Sequence, residues 1–415
     1  MRHIGFISTR IAGIDGVSHE IEKWADILER NGYRCFYCAG EIDRPHEKSA
    51  VVEEAHFAHP DVTRITQSLF GTTVRSKYDT KQVFDIANLI REGIEAFIRR
   101  FDIDCIIAEN CLTIPMNIPL GIALTWLIAE TGIPAIAHHH DFSWERERFF
   151  INAAGDFLQM SFPPVLPSVR HVVINSIALA NLAHRRGVTA TLIPNTLDFA
   201  NPPRSADPKV IAAVRRAAGV TDGKYMVLQP TRVIPRKAIE RAVDLVSMLE
   251  GAGKRLVISH PAGDEGTGYL KQLIEYAELR DVSLVFIDQI VSPGRAPSAE
   301  RPFTIADVYQ AADLITYPSA YEGFGNAFLE TIYFRKPIVM NRYPVFIADI
   351  EPKGFHLCLM NGFVTRDIVD EIERILMDEK ERVRIAEANY RVAAAHYSYE
   401  VLERLLLGVM SSFTL

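Results

Sequence analysis

The sequence predicts an α/β protein with two doubly wound, Rossmann-like domains, each built on a parallel sheet that helices cover on both faces. Short apolar runs alternate with longer helical patterns along the chain, which is typical of a parallel sheet. The alternation starts again after a proline-rich stretch near the middle. The chain has 415 residues, which exceeds what one hydrophobic core usually organises and suits two domains of about 200 residues each.

The first half contains six runs typical of strands, with four helical patterns between them. The predicted strands are His3–Ser8, Arg34–Ala39, Cys105–Glu109, Ala135–His139, His171–Ile174 and Ala190–Ile193. The predicted helices are Ser18–Asn31, Val83–Phe101, Ile118–Thr131 and Ser176–Arg186. The longest apolar stretch, Ile118–Ala129, is shorter than the ~20 residues that cross a bilayer, so we expect a buried helix there.

The middle of the chain differs in composition. Pro194, Pro202, Pro203 and Pro208 lie among small and charged residues, which is typical of a linker. We place that linker from Asn195 to about Pro208. The expected domains are residues 1–198 and 225–398, with a linker and domain entry at 199–224. A C-terminal helix at about residues 399–415 is expected to pack back on the first domain.

The second half repeats the alternation. The predicted strands are Tyr225–Gln229, Arg255–Ser259, Ser283–Phe286, Leu314–Thr316 and Pro337–Met340. The predicted helices are Lys237–Glu250, Gly268–Leu279, Ile305–Ala311 and Asn326–Phe334, followed by the long stretches Thr365–Ala395 and Glu400–Met410. Ligands of such sheets bind outside the carboxyl ends of the strands, so the loops that follow the strands are where a site is expected.

Composition and charge exclude several classes of protein. The net charge of −7 argues against general binding to nucleic acid. The five cysteines are odd in number and widely scattered, which argues against a disulfide framework. The N-terminus runs straight into an apolar strand without the features of a signal peptide. We therefore expect a cytoplasmic location and no membrane association.

The strongest functional signal is the run from Pro318 to Glu330, which follows a predicted strand and opens a helix. Gly323 frees the turn, and Gly325 lets backbone N–H groups approach a ligand closely. The helix N-terminus adds unpaired donors and a positive dipole end, which suit a phosphate. Glu322 and Glu330 could contact separate parts of one elongated ligand. The alternative is an acidic N-terminal turn with a surface glutamate.

A second signal follows the predicted strand Tyr225–Gln229. Arg232 and Lys237 flank a proline-stiffened loop, so both side chains can face the end of the sheet. An arginine fork and a lysine point charge together suit a diphosphate. The alternative is a solvated helix start, which would place cations against the helix dipole.

These two signals resemble the paired signatures of glycosyltransferase family 4, which has the GT-B fold of two Rossmann-like domains facing across a cleft. The runs Asp307–Ser319 and Ile193–Asp198 match the family as well. The resemblance implies that Arg232 and Lys237 bind the donor diphosphate and stabilise it as a leaving group. It implies that Glu322 hydrogen-bonds the donor sugar and that Glu330 holds the ribose hydroxyls. The other implied donor-binding residues are Gly323, Phe324, Gly325 and Asn326.

A third signal ends the predicted strand Ala135–His139. Similar enzymes carry a histidine here, often followed by an aspartate, that contacts the donor sugar; His140 with Asp141 fits best and is counted as catalytic, and His139 is the second choice. Packing histidines are the alternative. His138 and His140 alternate onto one face of the strand, as metal ligands could. No third ligand is evident and the family generally needs no metal for its chemistry, so we predict no metal site, although a need for a divalent ion stays open.

The residues just beyond this strand are candidates for binding an acceptor. Arg146 and Arg148 could hold an anionic group, or they could be ion-paired with Glu145 and Glu147. The predicted acceptor-binding residues are His139, Asp141, Arg146 and Arg148.

The loop after the first strand contains Gly13 and Gly16. In similar glycosyltransferases this loop lies close to the donor diphosphate, so Gly16 is counted as donor-binding, although the usual adjacent glycine pair is missing. A capping turn led by Asp15 or Ser18 is the alternative.

The resemblance implies a retaining glycosyltransferase that moves a hexose from a nucleotide-diphosphate sugar to a small acceptor. The runs Phe6–Gly13 and His140–Arg146 resemble bacterial enzymes grouped near mannosylglucosylglycerate synthases. That implies GDP-mannose as donor and an anionic sugar acceptor such as a glycerate glucoside, with UDP-glucose as the nearest competing donor. No cofactor beyond the donor is expected, and a homodimer stays open.

Two other classes of function remain as alternatives. A nucleotide-sugar epimerase or hydrolase of the same fold would consume the donor without an acceptor. A catalytically silent sugar-binding subunit would turn over nothing. The intact set Arg232, Lys237, Glu322 and Glu330 favours an enzyme.

Overall fold

The computed structural model describes residues 2–13, 16–261, 268–292 and 297–413. The chain divides into two compact units. Unit 1 comprises Met1–Pro194 and Leu402–Leu415, and unit 2 comprises Asn195–Val401.

Unit 1 is built on a parallel sheet. Its strands are β1 His3–Ile7, β2 Arg34–Ala39, β3 Ser49–Val51, β4 Cys105–Glu109, β5 Ala135–His139, β6 Val169–Val173 and β7 Ala190–Leu192. Its helices are α1 Gly16–Arg30, α2 Pro60–Leu69, α3 Lys77–Phe101, α4 Ile118–Thr131, α5 Gly155–Ser161 and α6 Ser176–Arg186. The strands lie in the order β3-β2-β1-β4-β5-β6-β7, all parallel. The order reverses between β1 and β4, which is where doubly wound sheets bind ligands.

Helix α4 shows how local signals and burial agree in unit 1. The Asn117 side chain caps the helix by accepting the backbone N–H of Leu120 at 2.9 Å. Pro119 lies in the first turn, where its missing N–H is not needed. The helix ends at Gly132 in the left-handed conformation. Its residues from Ile118 to Thr125 are all buried, so the prediction of a buried helix is confirmed.

Unit 2 is built on a second parallel sheet. Its strands are β8 Val227–Gln229, β9 Arg255–Ile258, β10 Ser283–Phe286, β11 Leu314–Tyr317, β12 Ile338–Asn341 and β13 Cys358–Met360. Its helices are α7 Pro208–Ala217, α8 Glu240–Met248, α9 Gly268–Leu279, α10 Ile305–Ala311, α11 Asn326–Tyr333, α12 Arg366–Met377 and α13 Glu379–Tyr397. The strands lie in the order β10-β9-β8-β11-β12-β13, again all parallel. Here the order reverses between β8 and β11.

The last helix, α14 Tyr399–Ser411, enters unit 1 at Leu402. Asn31 Nδ2, at the end of α1, donates to Glu403 Oε1 at 2.7 Å. Arg170 of β6 donates to the hydroxyl of Ser412 at 3.2 Å and lies over the ring of Phe413. These contacts fix the end of the helix to unit 1.

The predicted α/β class with two parallel sheets is confirmed, but several elements differ from the prediction. The sequence analysis missed β3, α2, α5 and β13. The predicted helix Lys237–Glu250 begins only at Glu240, because a 3₁₀ turn occupies Pro235–Lys237 and Ala238 has a φ of 48°.

The stretch 199–224, expected to be linker and domain entry, contains helix α7. Asp207 caps this helix by accepting the backbone N–H of Lys209 at 2.8 Å, and Pro208 occupies its first position. Arg215 pairs with Asp313, which follows α10, at 2.7 Å. Pro208, which was counted among the linker signals, is therefore the start of a helix.

The predicted long helix Thr365–Ala395 is two helices. They are separated at Asp378, whose side chain accepts the backbone N–H of Glu381 at 3.0 Å and so caps α13. Elsewhere the described helices show no segment both long and apolar enough to cross a membrane.

Candidate active site

Two loops of unit 2 meet at the carboxyl ends of β8 and β11. The loop after β8 presents Arg236 and Lys237, and the loop after β11 presents Glu322. Lys237 Nζ forms an ion pair with Oε1 of Glu322, and Arg236 Nη1 donates to Oε2 at 2.9 Å. The backbone N–H of Ala320 also donates to the Arg236 carbonyl at 2.9 Å. Main chain and side chains therefore hold the two loops together.

This cluster is nearly closed to solvent and carries excess positive charge. Lys237 is 8% exposed and Glu322 is 7% exposed. Burial alone would raise the pKa of Glu322, but the charges of Lys237 and Arg236 outweigh it and lower that pKa. Burial lowers the pKa of Lys237, and Glu322 opposes that shift. One ionised carboxylate thus lies between two cations, which leaves the cluster positive and suited to an anionic ligand.

The start of α11 brings backbone close to this cluster. Gly325 caps the helix with a φ of 119°, a conformation that favours glycine. A Cβ at this position would collide with Oη of Tyr343. The Tyr343 hydroxyl donates to the Phe324 carbonyl at 2.6 Å, and this hydrogen bond holds the loop before α11 in place. Helix α11 therefore begins four residues after Glu322, and its first N–H groups have no acceptor within the helix.

The remaining predicted donor-binding residues lie on the same elements. Asn326 is exposed, and its Oδ1 accepts Nδ2 of Asn195 at 2.6 Å. Glu330 lies further along α11 and accepts the hydroxyl of Tyr309 at 2.8 Å. Arg232 is exposed. Burial lowers the pKa of His260 to about 4, and the charges of Lys237 and Arg232 add to this shift.

Sequence analysis missed Arg236 and His260 in this region. Arg236 is adjacent to the predicted Lys237, but spacing alone could not show that both neighbouring cations reach Glu322. His260 follows β9, and only the sheet order places that strand end beside β8.

Unit 1 has its own polar cluster at the switch in strand order, at the carboxyl ends of β4 and β5. Glu109 is completely buried. Its Oε2 lies 3.0 Å from Nδ1 of His138, and its Oε1 lies 2.6 Å from Nε2 of His140. The His138 ring stacks on Trp24 at a centroid distance of 4.3 Å. The carboxylate thus fixes the orientation of both imidazoles.

Glu109 and His140 stabilise each other's charged forms. Burial would raise the pKa of Glu109, but the two histidines outweigh it and lower that pKa to about 2. Burial would lower the pKa of His140, but the hydrogen bond and charge of Glu109 outweigh it and raise that pKa. His140 is the more accessible of the two histidines, with a side chain 17% exposed against 2% for His138.

Glu109 supplies the third potential metal ligand that the sequence analysis did not find. Ligand atoms of Glu109, His138 and His140 all lie within 4.8 Å of one another. Two imidazoles and a carboxylate form a ligand set typical of zinc sites, so the reason given for predicting no metal, a missing third ligand, was wrong. The hydrogen bonds within the cluster account for the same geometry without an ion.

His139 points the other way along β5, as strand alternation requires. It is completely buried, with Nδ1 2.7 Å from the hydroxyl of Thr113 and Nε2 2.9 Å from Nδ1 of His171. Burial lowers its pKa well below the ordinary value. A neutral, buried and hydrogen-bonded imidazole is a packing histidine, so the structure argues against the predicted acceptor contact of His139.

The predicted acceptor residues after β5 separate into two groups. Asp141 is buried and forms an ion pair with Arg146, so Arg146 has a carboxylate partner that neither sequence-based alternative named. Arg148 is exposed; its guanidinium lies over the Phe149 ring, and its Nη2 is 2.8 Å from Sδ of Met116.

Gly16 is the first residue of α1 and is exposed, while Asp15 lies outside the described residues. The Ser18 hydroxyl donates to the carbonyl of Ala12 at 3.1 Å. The donor contact of Gly16 therefore remains a prediction.

Comparison with known proteins decides the family. Residues 210–392 match the model of the group 1 glycosyl transferases. The mannosylglucosylglycerate synthase of Thermotoga maritima is 32% identical over 97% of this chain and 98% of its own length. The chain belongs to the group 1 glycosyl transferases. The sequence-based recognition of this family is confirmed, and the protein is a glycosyltransferase.

Further relatives agree with this assignment. The mannosylglucosylglycerate synthase of Petrotoga mobilis is 31% identical over 85% of this chain and 85% of its own length. Among solved structures, Anabaena HepE in complex with UDP and glucose superimposes with a TM-score of 0.66 at 14% identity, covering 99% of this chain and 100% of HepE. At that identity the similarity concerns the fold, and the predicted GT-B fold is confirmed.

Proposed function

We propose that this glycosyltransferase transfers mannose from GDP-mannose to a small sugar acceptor bearing a carboxylate, with retention at the anomeric carbon. The observation that carries the proposal is the buried cluster of Lys237, Arg236 and Glu322 beside the N-terminus of α11. Two relatives of similar length are named mannosylglucosylglycerate synthases, which favours GDP-mannose over UDP-glucose as donor.

The donor diphosphate is proposed to bind Lys237 and Arg236, with Arg232 at the exposed side. Lys237 and Arg236 already lie together at Glu322, so these two cations need little reorganisation to bind a dianion. When phosphate oxygens bind Lys237 and Arg236, Glu322 becomes free to accept a hydrogen bond from a hydroxyl of the donor sugar. Backbone N–H groups at Phe324, Gly325 and Asn326 complete the diphosphate and sugar contacts, and Glu330 holds the ribose hydroxyls.

The proposed reaction needs no protein nucleophile. The bond between the anomeric carbon and the diphosphate oxygen breaks, and the acceptor hydroxyl forms its bond on the same face of the sugar. The acceptor proton passes to the departing diphosphate. Lys237 and Arg236 stabilise the charge that develops on that diphosphate, and correct positioning supplies much of the remaining rate enhancement.

Unit 1 is proposed to supply His140 as a hydrogen-bond donor to the transferred sugar. Glu109 holds its Nε2 at 2.6 Å, which leaves Nδ1 for the sugar and favours the protonated ring. Gly16 keeps its predicted role near the diphosphate. Charge stabilisation is assigned to the cations of unit 2, so we propose that the chemistry needs no bound metal.

A product assay tests this function. The purified protein is incubated with GDP-mannose or UDP-glucose, with and without glucosylglycerate, and the products are followed by proton NMR. We expect mannosyl transfer from GDP-mannose with an α-configured product. Donor consumption without acceptor would instead identify an epimerase or hydrolase, and the absence of any nucleotide binding would favour a silent subunit.

A further inference from the structure

Unit 1 also contains a cavity of about 380 Å³, which is lined by segments that follow β3, β4 and β5. It therefore lies on the carboxyl side of the same sheet as Glu109 and His140. Its volume is within the ~300–1,000 Å³ range of small-molecule sites. Helix α2, the loop before α4 and the turn at Glu147–Phe149 form its walls.

The walls combine aromatic and hydroxyl- or amide-bearing side chains. Phe70 and Phe149 meet edge to face at a centroid distance of 5.0 Å. Thr63, Thr66 and Gln67 lie on the cavity side of α2, where spacings of three and four residues share one helix face. Aromatic faces with nearby hydroxyl and amide groups suit a sugar, whose ring has apolar faces and a polar edge.

Arg148 gives the cavity its charge. Among the described residues that line it, Arg148 is the only charged one. Its guanidinium lies 4.6 Å from the centroid of the Phe149 ring, which is a cation–π distance. A planar guanidinium matches a carboxylate through two parallel hydrogen bonds.

A backbone bridge and hydrogen bonds hold together the segments that form the cavity. Phe70 and Asn152 form an antiparallel bridge, and the backbone N–H of Ala153 donates to the Leu69 carbonyl at 2.7 Å. On the other side, Asn117 Nδ2 donates to the Glu54 carbonyl at 2.8 Å. A pre-formed pocket loses less freedom when a ligand enters.

From these features we infer that this cavity is the acceptor subsite and that it selects a glycoside carrying a single carboxylate, which binds Arg148 while the sugar ring packs on Phe70 and Phe149. The inference deepens the proposed function and rests on it. Among the described residues that line the cavity, Arg148 is the single cation, which matches a monoanion rather than a phosphorylated dianion.

Paired ligands test the inference. Calorimetry with GDP present measures the Kd of glucosylglycerate and of its neutral counterpart glucosylglycerol, in wild type and in Arg148→Gln. We expect the variant to weaken glucosylglycerate about 10- to 100-fold, as loss of a charged hydrogen bond does, and glucosylglycerol less than about 2-fold. Arg148→Lys should recover part of the lost affinity for glucosylglycerate, because lysine restores the charge but not the two parallel hydrogen bonds of the guanidinium.

Arg64→Gln is the matched control. Arg64 is on the same helix as Thr63 but pairs with Asp61 at 2.7 Å and is 54% exposed, so both Kd values should stay unchanged. GDP affinity should also stay unchanged in every variant, which separates failure of this inference from failure of the donor site.

Three results would overturn the inference while leaving the function intact. They are equal wild-type affinity for the two probes, an unchanged preference in Arg148→Gln, and tighter binding of glucosyl-3-phosphoglycerate than of glucosylglycerate. Sugar transfer by a wild type that binds neither probe would place the acceptor elsewhere. Absence of transfer to any sugar acid would refute the proposed function itself.

Discussion

Glu322 lies between two cations, and this makes Lys237 the most informative single residue of unit 2. We expect Lys237→Gln to lower kcat/KM by about 100-fold or more, because the diphosphate loses a preorganised charge and Glu322 keeps only Arg236. The stabilisation by nucleotide, about 2.7 kcal/mol at 100 times Kd, should also vanish in a thermal-shift measurement. Lys271→Gln is the control, since Lys271 is 82% exposed on α9. Full nucleotide stabilisation of Lys237→Gln would exclude Lys237 from the donor site.

Glu109 sets the protonation of His140, and the sign of the effect can be tested. The pKa of His140 is raised above 6.5 against the opposing effect of burial. Its contribution to stability is therefore present below about 6.5 and is lost as pH rises through the higher folded pKa. Glu109→Gln removes the anion, so we expect the pKa of His140 to fall below the wild-type value in an NMR titration of the ring protons. Glu130→Gln, at the end of α4, should leave it unchanged; an equal pKa in both variants would refute the coupling.

The acid side of the same pair gives a separate expectation. The pKa of Glu109 is lowered from 4.5 to about 2, so its contribution to stability is present above about 4.5 and is lost as pH falls toward 2. Chemical denaturation gives the unfolding free energy of wild type and of Glu109→Gln between about pH 6 and about pH 3. As pH falls, this free energy should decrease more steeply in wild type than in the variant. Parallel curves would contradict the assigned shift.

At the scale of elements, the start of α11 depends on one glycine. Gly325→Ala adds a strained φ and a collision with Tyr343, and we expect a loss of about 2–4 kcal/mol in unfolding free energy together with weaker nucleotide binding. Gly354→Ala shares the positive φ, 85°, but has open space around the added Cβ, so it should lose only about 1 kcal/mol. Adding Tyr343→Phe should recover part of the stability of Gly325→Ala. Equal losses in both alanine variants would show that the collision is absorbed.

Prediction from sequence succeeded for elements with a long periodic pattern. It failed for elements and clusters that form only through contacts between residues far apart in the chain. Helices such as Gly268–Leu279 were predicted to the residue, whereas β13 has only three residues and stands out only by pairing with β12. Lys237 and Glu322, which the structure pairs, were singled out from the sequence because their loops carry local motifs. Glu109 was read only as the last residue of a strand, because its partners lie about thirty positions further along the chain and come near it only through the pairing of β4 with β5.

At the scale of the whole molecule, stability of unit 1 depends on residues that follow unit 2 in the chain. Leu402, Leu406 and Val409 of α14 are buried. We expect Leu406→Ala to lose about 2–5 kcal/mol and to raise hydrogen exchange in β6 and at the end of α1, which α14 contacts, while exchange in β8 to β13 stays unchanged. Leu89→Ala, 49% exposed on α3, is the control. A uniform rise across both sheets would show instead that the units unfold as one.

The return of α14 to unit 1 also orders events during synthesis. The ribosome synthesises the chain from its N-terminus, and domains generally fold as units as they emerge. Residues 195–401 leave before 402–415, so unit 2 can acquire its full complement of residues while unit 1 still exposes the surface that α14 covers. The sheet of unit 1 is synthesised first, but unit 2 is the first unit whose residues are all made. The nascent protein therefore carries an uncovered apolar face on unit 1 until α14 is synthesised.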